Sequence, residues 1–219
     1  MHTKGLKLLL IVIIALSVAA CNQQSAPGEA PPSKGAEPAS EPSTSYEELY
    51  RDTVFLGDSI TEGLTFHDIL SEERVIAGAG KTAEFTLMED DVDNLVAREP
   101  ERVFIHLGST DILWPTDDPQ THSLTHYGEL IDRIRVPLPQ TKIVLLSVAP
   151  VTADAEEAEP RYRNIDAYNE GLQKLAADKQ IGFVDLTPLV TQYANLYDTD
   201  GIHFQAAFYP KLLEYLKDA

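Results

Sequence analysis

The stretch Thr53-Val-Phe-Leu-Gly-Asp-Ser-Ile-Thr61 joins an uninterrupted strand-forming run to a turn and then to residues suited to a helix. The run is typical of a strand that is buried on both faces of a parallel sheet. Gly57 ends the run and leaves Ser59 in the first turn beyond the strand. Ligands of open α/β sheets bind at the carboxyl ends of the strands, so this serine is well placed for chemistry. Taken alone, however, the turn is more typical of an ordinary helix cap by Asp58 or Ser59.

Strands and helical patterns alternate through the chain around this stretch. The predicted strands are Thr53–Leu56, Arg74–Ala77, Arg102–Leu107, Lys142–Val148 and Gly182–Asp185. The predicted helices are Glu84–Ala97, one that contains Tyr127, Leu130, Ile131 and Ile134, one that contains Ile165, Tyr168, Leu172 and Leu175, one that starts at Thr187-Pro188, and Phe208–Leu216. Such alternation predicts βαβ units and an α/β fold with helices on both faces of a parallel sheet.

The N-terminus, residues 1–20, is predicted to be a secretory signal peptide. Lys4 and Lys7 precede an uncharged core of about 13 residues, shorter than the ~20 that a spanning helix needs. The ending Val18-Ala19-Ala20-Cys21 resembles the bacterial lipobox, which implies cleavage before Cys21 and attachment of lipid to it. A non-lipidated secretory peptide is the alternative. Cys21 is the only cysteine in 219 residues, so it has no partner for an intramolecular disulfide.

Residues 21–45 are predicted to be a lipidated cysteine followed by a disordered tether. They are rich in Pro, Ser, Ala and Glu and hold no aromatic residue and no aliphatic one larger than alanine, so little can be buried to offset chain entropy. Residues 46–219 are long enough for one domain. The expected location is outside the cytoplasm, with the lipid on Cys21 holding the protein to a membrane.

The charge balance argues against two classes of partner. Loss of residues 1–20 removes two lysines and no acid, which leaves 15 basic residues against 35 acidic ones. So acidic a chain argues against binding to nucleic acid and against electrostatic docking on anionic lipid. Nothing in the sequence indicates an oligomeric state.

The ends of the predicted strands carry groups that suit serine catalysis. Ser59 follows the first strand, glycine turns follow the second and third, and Asp200 and His203 follow the last. Because carboxyl ends of parallel strands share one edge, these groups should converge. A serine needs a base to take its proton, and the base needs a carboxylate to orient it. Asp200 and His203 stand three residues apart, close enough for one to orient the other.

Four blocks of the chain resemble, in order and spacing, those of the SGNH (GDSL-type) hydrolases. They are Gly57-Asp58-Ser59-Ile60-Thr61, Gly80, Gly108-Ser109-Thr110-Asp111 and Asp200-Gly201-Ile202-His203. The resemblance spans the domain from about Val54 to the last helix. It implies a flavodoxin-like, three-layer α/β/α sandwich around a five-stranded parallel sheet. It also implies that Ser59 is the nucleophile, His203 the general base and Asp200 its partner.

The resemblance further implies an oxyanion hole, with one departure. The backbone N–H groups of Ser59 and Gly80 match two of the family's donors. The third donor is an Asn side chain in the pattern Gly-x-Asn-Asp, and Thr110 stands in its place. A threonine hydroxyl reaches less far than an asparagine amide. Ser109 is the alternative donor.

No cofactor and no metal site are predicted. Gly80-Lys81-Thr82 lacks the first glycine of a phosphate loop, because position 75 is Val75, and Lys81 is expected to be a solvated helix-start residue. The acidic run Glu89–Asp91 is expected to be a solvated helix face. The histidines at 67, 106, 122 and 126 show no spacing to cysteines or acids that suggests zinc.

The predicted function is hydrolysis of carboxylic esters through an acyl-enzyme intermediate. Asp58 and Trp114 are predicted to line the substrate crevice, although Trp114 suits a hydrophobic plug equally well. No insertion is long enough to form a lid, which favours short acyl groups or acetylated carbohydrates, so the expected partner is a small-molecule or glycan ester. Two alternatives stay open: a weakly active or inactive binding module for a glycan or acyl chain, and a cell-surface O-acyltransferase.

Overall fold

The computed structural model describes residues 45–219. The predicted signal peptide, the predicted lipid on Cys21 and all but the last residue of the predicted tether lie outside the described residues. Among the helices of residues 45–219, none is both long and apolar enough to cross a membrane.

The described residues form one five-stranded β-sheet. Its strands, in chain order, are β1 Thr53–Gly57, β2 Val75–Ala77, β3 Arg102–His106, β4 Lys142–Leu146 and β5 Gly182–Val184. All neighbouring strands run parallel, in the spatial order β2-β1-β3-β4-β5. This is the flavodoxin-like order, in which the chain reverses direction across the sheet between β1 and β3. The crevice at that switch point lies beyond the carboxyl ends of β1 and β3.

The helices fill the connections between the strands. In chain order they are α1 Tyr46–Leu49, α2 Ser59–Phe66, α3 Ala83–Met88, α4 Asp91–Ala97, α5 Pro119–Arg135, α6 Ala153–Ala158, α7 Ile165–Lys179, α8 Thr187–Gln192 and α9 Tyr209–Leu216. Short 3-10 turns cover Asp111–Leu113, Pro160–Asn164, Ala194–Leu196 and Ala206–Phe208. The predicted apolar spacings around Tyr127 and Ile165 fall on α5 and α7, as expected.

Two hydrophobic clusters lie on opposite faces of the sheet. Val54 and Val103 point into the cluster that α4, α5 and α7 cover. Phe55 and Phe104, whose ring centroids stack 5.2 Å apart, point into the cluster that α2, α8 and α9 cover. Successive strand residues therefore serve opposite faces, as the period of two requires. The predicted three-layer α/β/α sandwich with a five-stranded parallel sheet is confirmed.

The single helix predicted over Glu84–Ala97 is wrong, because the chain forms α3 and α4 with a break between them. Glu89 has an extended backbone at the break, with φ −91° and ψ 177°. The Lys81 ammonium lies 2.7 Å from the Glu89 carboxylate and also contacts Asp91. Lys81 and Asp91 are only 17% and 11% exposed at their side chains, so neither is the solvated residue expected from the sequence.

Candidate active site

Three polar groups form a continuous hydrogen-bonded chain at the carboxyl edge of the sheet. Ser59 is the first residue of α2 and is separated from β1 only by Asp58, and its hydroxyl lies 2.8 Å from His203 Nε2. His203 Nδ1 lies 2.5 Å from Asp200 Oδ2. The carboxylate can only accept, so Nδ1 of a neutral ring carries the proton and Nε2 accepts from Ser59. This arrangement can deprotonate a serine hydroxyl.

Hydrogen bonds between the Asp200 side chain and backbone amides stabilise the turn that contains Asp200 and His203. Asp200 Oδ1 accepts hydrogen bonds from the N–H groups of Ile202 and His203, each at 2.9 Å. Gly201 has φ +70°, and a Cβ there would lie 2.0 Å from Thr152 Oγ1. Only glycine fits both the conformation and the space. Partial burial acts to raise the pKa of Asp200, but the hydrogen bonds from the His203 ring and these amides outweigh it and lower the pKa below its ordinary value.

Two backbone amides at the carboxyl edge of the sheet are available as donors. Ser59 is the first residue of α2, and within residues 45–219 its backbone N–H donates to no other protein group. The same holds for the N–H of Gly80, which is exposed in the turn after β2 with φ +77°. Free amides at a helix N-terminus and in a glycine turn suit a developing negative charge. Thr110 directly precedes the 3-10 turn that follows β3; it is half-buried, and its hydroxyl does not cap that turn.

The prediction that Asp58 lines the substrate crevice is wrong. Its side chain is turned inward and the residue is 1% exposed. One carboxylate oxygen caps α2 by accepting from the Ile60 N–H at 3.0 Å, and the other accepts from the Ser109 hydroxyl at 2.6 Å. The capping alternative is what the structure shows for this residue. Ser109 donates its proton to Asp58, so its hydroxyl is not free to replace the family's asparagine.

The cavity beside the serine has a volume of about 280 Å³. Its apolar wall is formed by Phe66, Ala79, Phe204 and Tyr209. Trp114 is not part of this lining; it is half-buried and packs edge-on against Phe85, with ring centroids 5.1 Å apart. The structure therefore brings Ser59, Asp200 and His203 to one cavity, and the residues that line it do not include Gly80, Thr110 or Trp114.

A larger concavity, of about 520 Å³, lies at the opposite edge of the sheet. It adjoins Thr53, Arg102 and Lys142, the first residues of three strands. None of the described residues that line it is a serine, cysteine or histidine. The cavity at Ser59 is therefore the candidate active site because of the residues that line it, although it is the smaller of the two.

Asp111, the last residue of the third block that resembles the family, is a buried carboxyl, and its burial was not predicted from the sequence. Asp111 is 2% exposed, and its Oδ1 accepts from the Ala83 N–H at 3.1 Å and the Ser123 hydroxyl at 2.6 Å. Within the described residues its Oδ2 has no hydrogen-bond partner. Burial raises the pKa of Asp111 from 3.8 to about 6, although the two hydrogen bonds act in the opposite direction. Asp111 thereby links the turn after β3 to the first residue of α3.

This buried carboxyl predicts a fall in stability as pH rises. Between pH 4 and 6 folded Asp111 keeps a proton that the unfolded chain releases, so ionisation costs the folded state roughly 3 kcal/mol. Asp111→Asn keeps the acceptor for Ala83 and cannot ionise. In urea unfolding at pH 4 to 7, the free energy of unfolding of the variant should gain between about 2 and 3 kcal/mol relative to wild type across this range.

Asp117→Asn is the matched control, because Asp117 is exposed and its substitution leaves the hydrogen bonds of Asp111 intact. A constant difference between wild type and Asp111→Asn from pH 4 to 7 would contradict the assignment.

A sequence comparison assigns the family. The sequence profile of the GDSL-like lipase/acylhydrolase family matches residues 55–210, which include the strand before Ser59 and extend beyond His203. The chain belongs to this family. It is a hydrolase that acts on ester bonds. No curated protein sequence matches the chain.

Solved structures resemble this GDSL-like hydrolase across most of its length. A GDSL-like lipase from Bacteroides thetaiotaomicron is 18% identical with a TM-score of 0.61, over 76% of this chain and 85% of that one. A Streptococcus pneumonia protein, provisionally described as a platelet activating factor, is 26% identical with a TM-score of 0.60, over 79% and 88%. A catalytic mutant of an acetylxylan esterase from Geobacillus stearothermophilus is 19% identical with a TM-score of 0.57, over 74% and 90%.

Proposed function

We propose that this GDSL-like hydrolase is a serine esterase in which Ser59 is the nucleophile, His203 the general base and Asp200 the residue that orients the base. One observation carries the proposal. The Ser59 hydroxyl, the His203 ring and the Asp200 carboxylate are joined by contacts of 2.8 Å and 2.5 Å beside a cavity. Each group has the partner that its role in acyl transfer requires.

The proposed reaction proceeds through an acyl-enzyme. Ser59 Oγ attacks the ester carbonyl carbon while His203 Nε2 takes the hydroxyl proton, and Asp200 stabilises the imidazolium. The N–H groups of Ser59 and Gly80 stabilise the oxyanion, with Thr110 as the third candidate donor. His203 gives its proton to the leaving alcohol as the acyl–enzyme ester forms. Water, deprotonated by His203, then attacks the acyl group, and Ser59 recovers its proton when the acid leaves.

We propose short acyl groups or acetylated carbohydrates as the substrate class. The cavity of about 280 Å³ is slightly smaller than the ~300–1,000 Å³ that small-molecule sites occupy. Phe66, on its wall, is itself 79% exposed, so this wall gives a long acyl chain little enclosed surface. One structural neighbour is an acetylxylan esterase, and that activity agrees with this class.

Hydrolysis of nitrophenyl esters from acetate to decanoate tests both activity and chain length. We expect turnover by the wild type, with kcat/KM highest for the short acyl groups. A site that buried the whole chain would gain ~0.8 kcal/mol for each methylene, or about fourfold in kcat/KM. A steady rise of that size from acetate to decanoate would contradict the short-acyl proposal. Absence of turnover throughout the series by folded protein would contradict the esterase proposal itself.

Export and attachment through a lipid on Cys21 stay predictions, because the described residues begin at Ser45. Membrane fractionation of a Cys21→Ser variant tests them: the unlipidated variant should leave the membrane fraction, and retention equal to wild type would contradict the lipid anchor.

A further inference from the structure

Two helices bring three side chains of types that can ligate a metal together outside the cavity at Ser59. Glu84 lies in the first turn of α3, and His122 and His126 lie one turn apart on α5. Residues four apart share a helix face, so both imidazoles are directed to the same side of α5. One possible ligand atom from each of the three residues lies within 4.8 Å of the other two. None of the three lines the cavity at Ser59.

Within this Glu–His–His cluster, Glu84 forms a hydrogen bond with one histidine and not with the other. His122 Nε2 lies 3.0 Å from Glu84 Oε2, which is a hydrogen bond. His126 Nε2 lies 3.9 Å from Glu84 Oε1, which is too long for one. The two imidazole centroids are 4.5 Å apart. The side chains are 23–30% exposed, so an ion can reach them from solvent.

The orientation of His126 explains why the cluster suits a cation. Its Nδ1 lies 2.9 Å from the carbonyl oxygen of His122. A carbonyl only accepts, so Nδ1 of the neutral ring carries the proton and Nε2 carries a lone pair. That lone pair faces a carboxylate, which is also an acceptor. A backbone carbonyl that fixes the ring in this way is the usual support for a metal-ligating histidine.

We propose that Glu84, His122 and His126 bind one divalent transition-metal ion, with zinc as the best fit. Imidazole nitrogens with a carboxylate suit zinc, whereas calcium and magnesium prefer all-oxygen sites. Tetrahedral ligand atoms around zinc lie roughly 3.3 Å apart, given bonds of about 2.0–2.1 Å. The longer separations therefore close by side-chain rotation, and water completes the coordination. The proton that His122 shares with Glu84 moves to the ring's other nitrogen or to solvent.

The Glu–His–His cluster lies between α3 and α5, so a bound metal would affect how these two helices are joined. Thr82 caps α3 by accepting from the Phe85 N–H at 3.1 Å, and only Lys81 separates this cap from Gly80. A metal held by Glu84 and by two residues of α5 would tie the start of α3 to α5. It would thereby stabilise the helix that follows the Gly80 turn.

Thermal unfolding of the full-length chain without an affinity tag, in EDTA and then in excess zinc chloride, tests the site. Zinc at about 100 times its Kd should raise Tm by roughly 5–10 °C. The effect should saturate at one zinc per chain. His126→Gln should lose the shift, because glutamine lacks the imidazole lone pair. Glu129→Gln, which changes an exposed acid on the same helix, should keep it.

Cobalt(II) absorption gives a second measurement that does not depend on stability. Wild type should develop visible ligand-field bands that titrate to one cobalt per chain, and folded His126→Gln should not. A wild type without a zinc-dependent shift would overturn the proposal and leave a hydrogen-bonded His–Glu cluster. An equal shift or equal bands in His126→Gln would also overturn it, by placing the metal elsewhere.

Discussion

Ser59→Ala is expected to reduce nitrophenyl ester hydrolysis to the background rate, a loss on the order of 10⁴-fold or more in kcat. The alanine removes the attacking oxygen and leaves the oxyanion donors and the cavity in place. The fold should survive, because alanine favours the helix and Asp58 still caps α2 through the Ile60 N–H. The measurement is the steady-state rate of wild type and variant at equal concentration, with circular dichroism to show that both are folded.

Ser71→Ala is the matched control, since Ser71 is an exposed serine in the loop before β2 and should keep the wild-type rate. Substantial activity in Ser59→Ala would assign the attack to another group. Equal inactivity of wild type and variant, with both folded, would favour the binding-module alternative.

The sequence predicted the fold because its strongest signals are local. Each strand is a short apolar run with a turn residue after it, and helical spacings fill the intervals. The break between α3 and α4, which was not predicted, lies beside an ion-paired cluster. Lys81 lies eight residues before Glu89 in the chain, and its ammonium joins the end of α3 to the start of α4. A periodic apolar pattern carries no information about such a pair.

The candidate site was predictable to different degrees. Asp200 and His203 are local neighbours, whereas His203 and Ser59 are 144 positions apart and were paired by strand-end convergence and family resemblance. Asp58 was misplaced because a strand-end position does not show which way a side chain turns. The Glu84–His122 contact joins residues 38 positions apart on two helices. The sequence does not fix the relative rotation of those helices, although the spacing of His122 and His126 was a usable signal.

Thr110→Asn is expected to raise kcat, by up to about 10²–10³-fold. This is the amount that a single oxyanion donor typically contributes. Asparagine carries its N–H donors further from the backbone than threonine carries its hydroxyl. Ser109 cannot supply the missing donor, because its proton is committed to Asp58 at 2.6 Å. An interaction made only in the transition state should leave KM nearly unchanged, so kcat and KM must be measured separately.

Thr110→Val is the control that separates a weak donor from an absent one. Valine keeps the shape of threonine and removes the hydroxyl. If the Thr110 hydroxyl already reaches the oxyanion, kcat should fall in the valine variant and the gain from asparagine should be small. If it does not reach, valine should match wild type and asparagine should give the larger gain. The esterase proposal would be contradicted if folded wild type and folded Thr110→Asn both hydrolysed the ester only at the background rate. The two backbone donors and the asparagine side chain would then all be present without turnover.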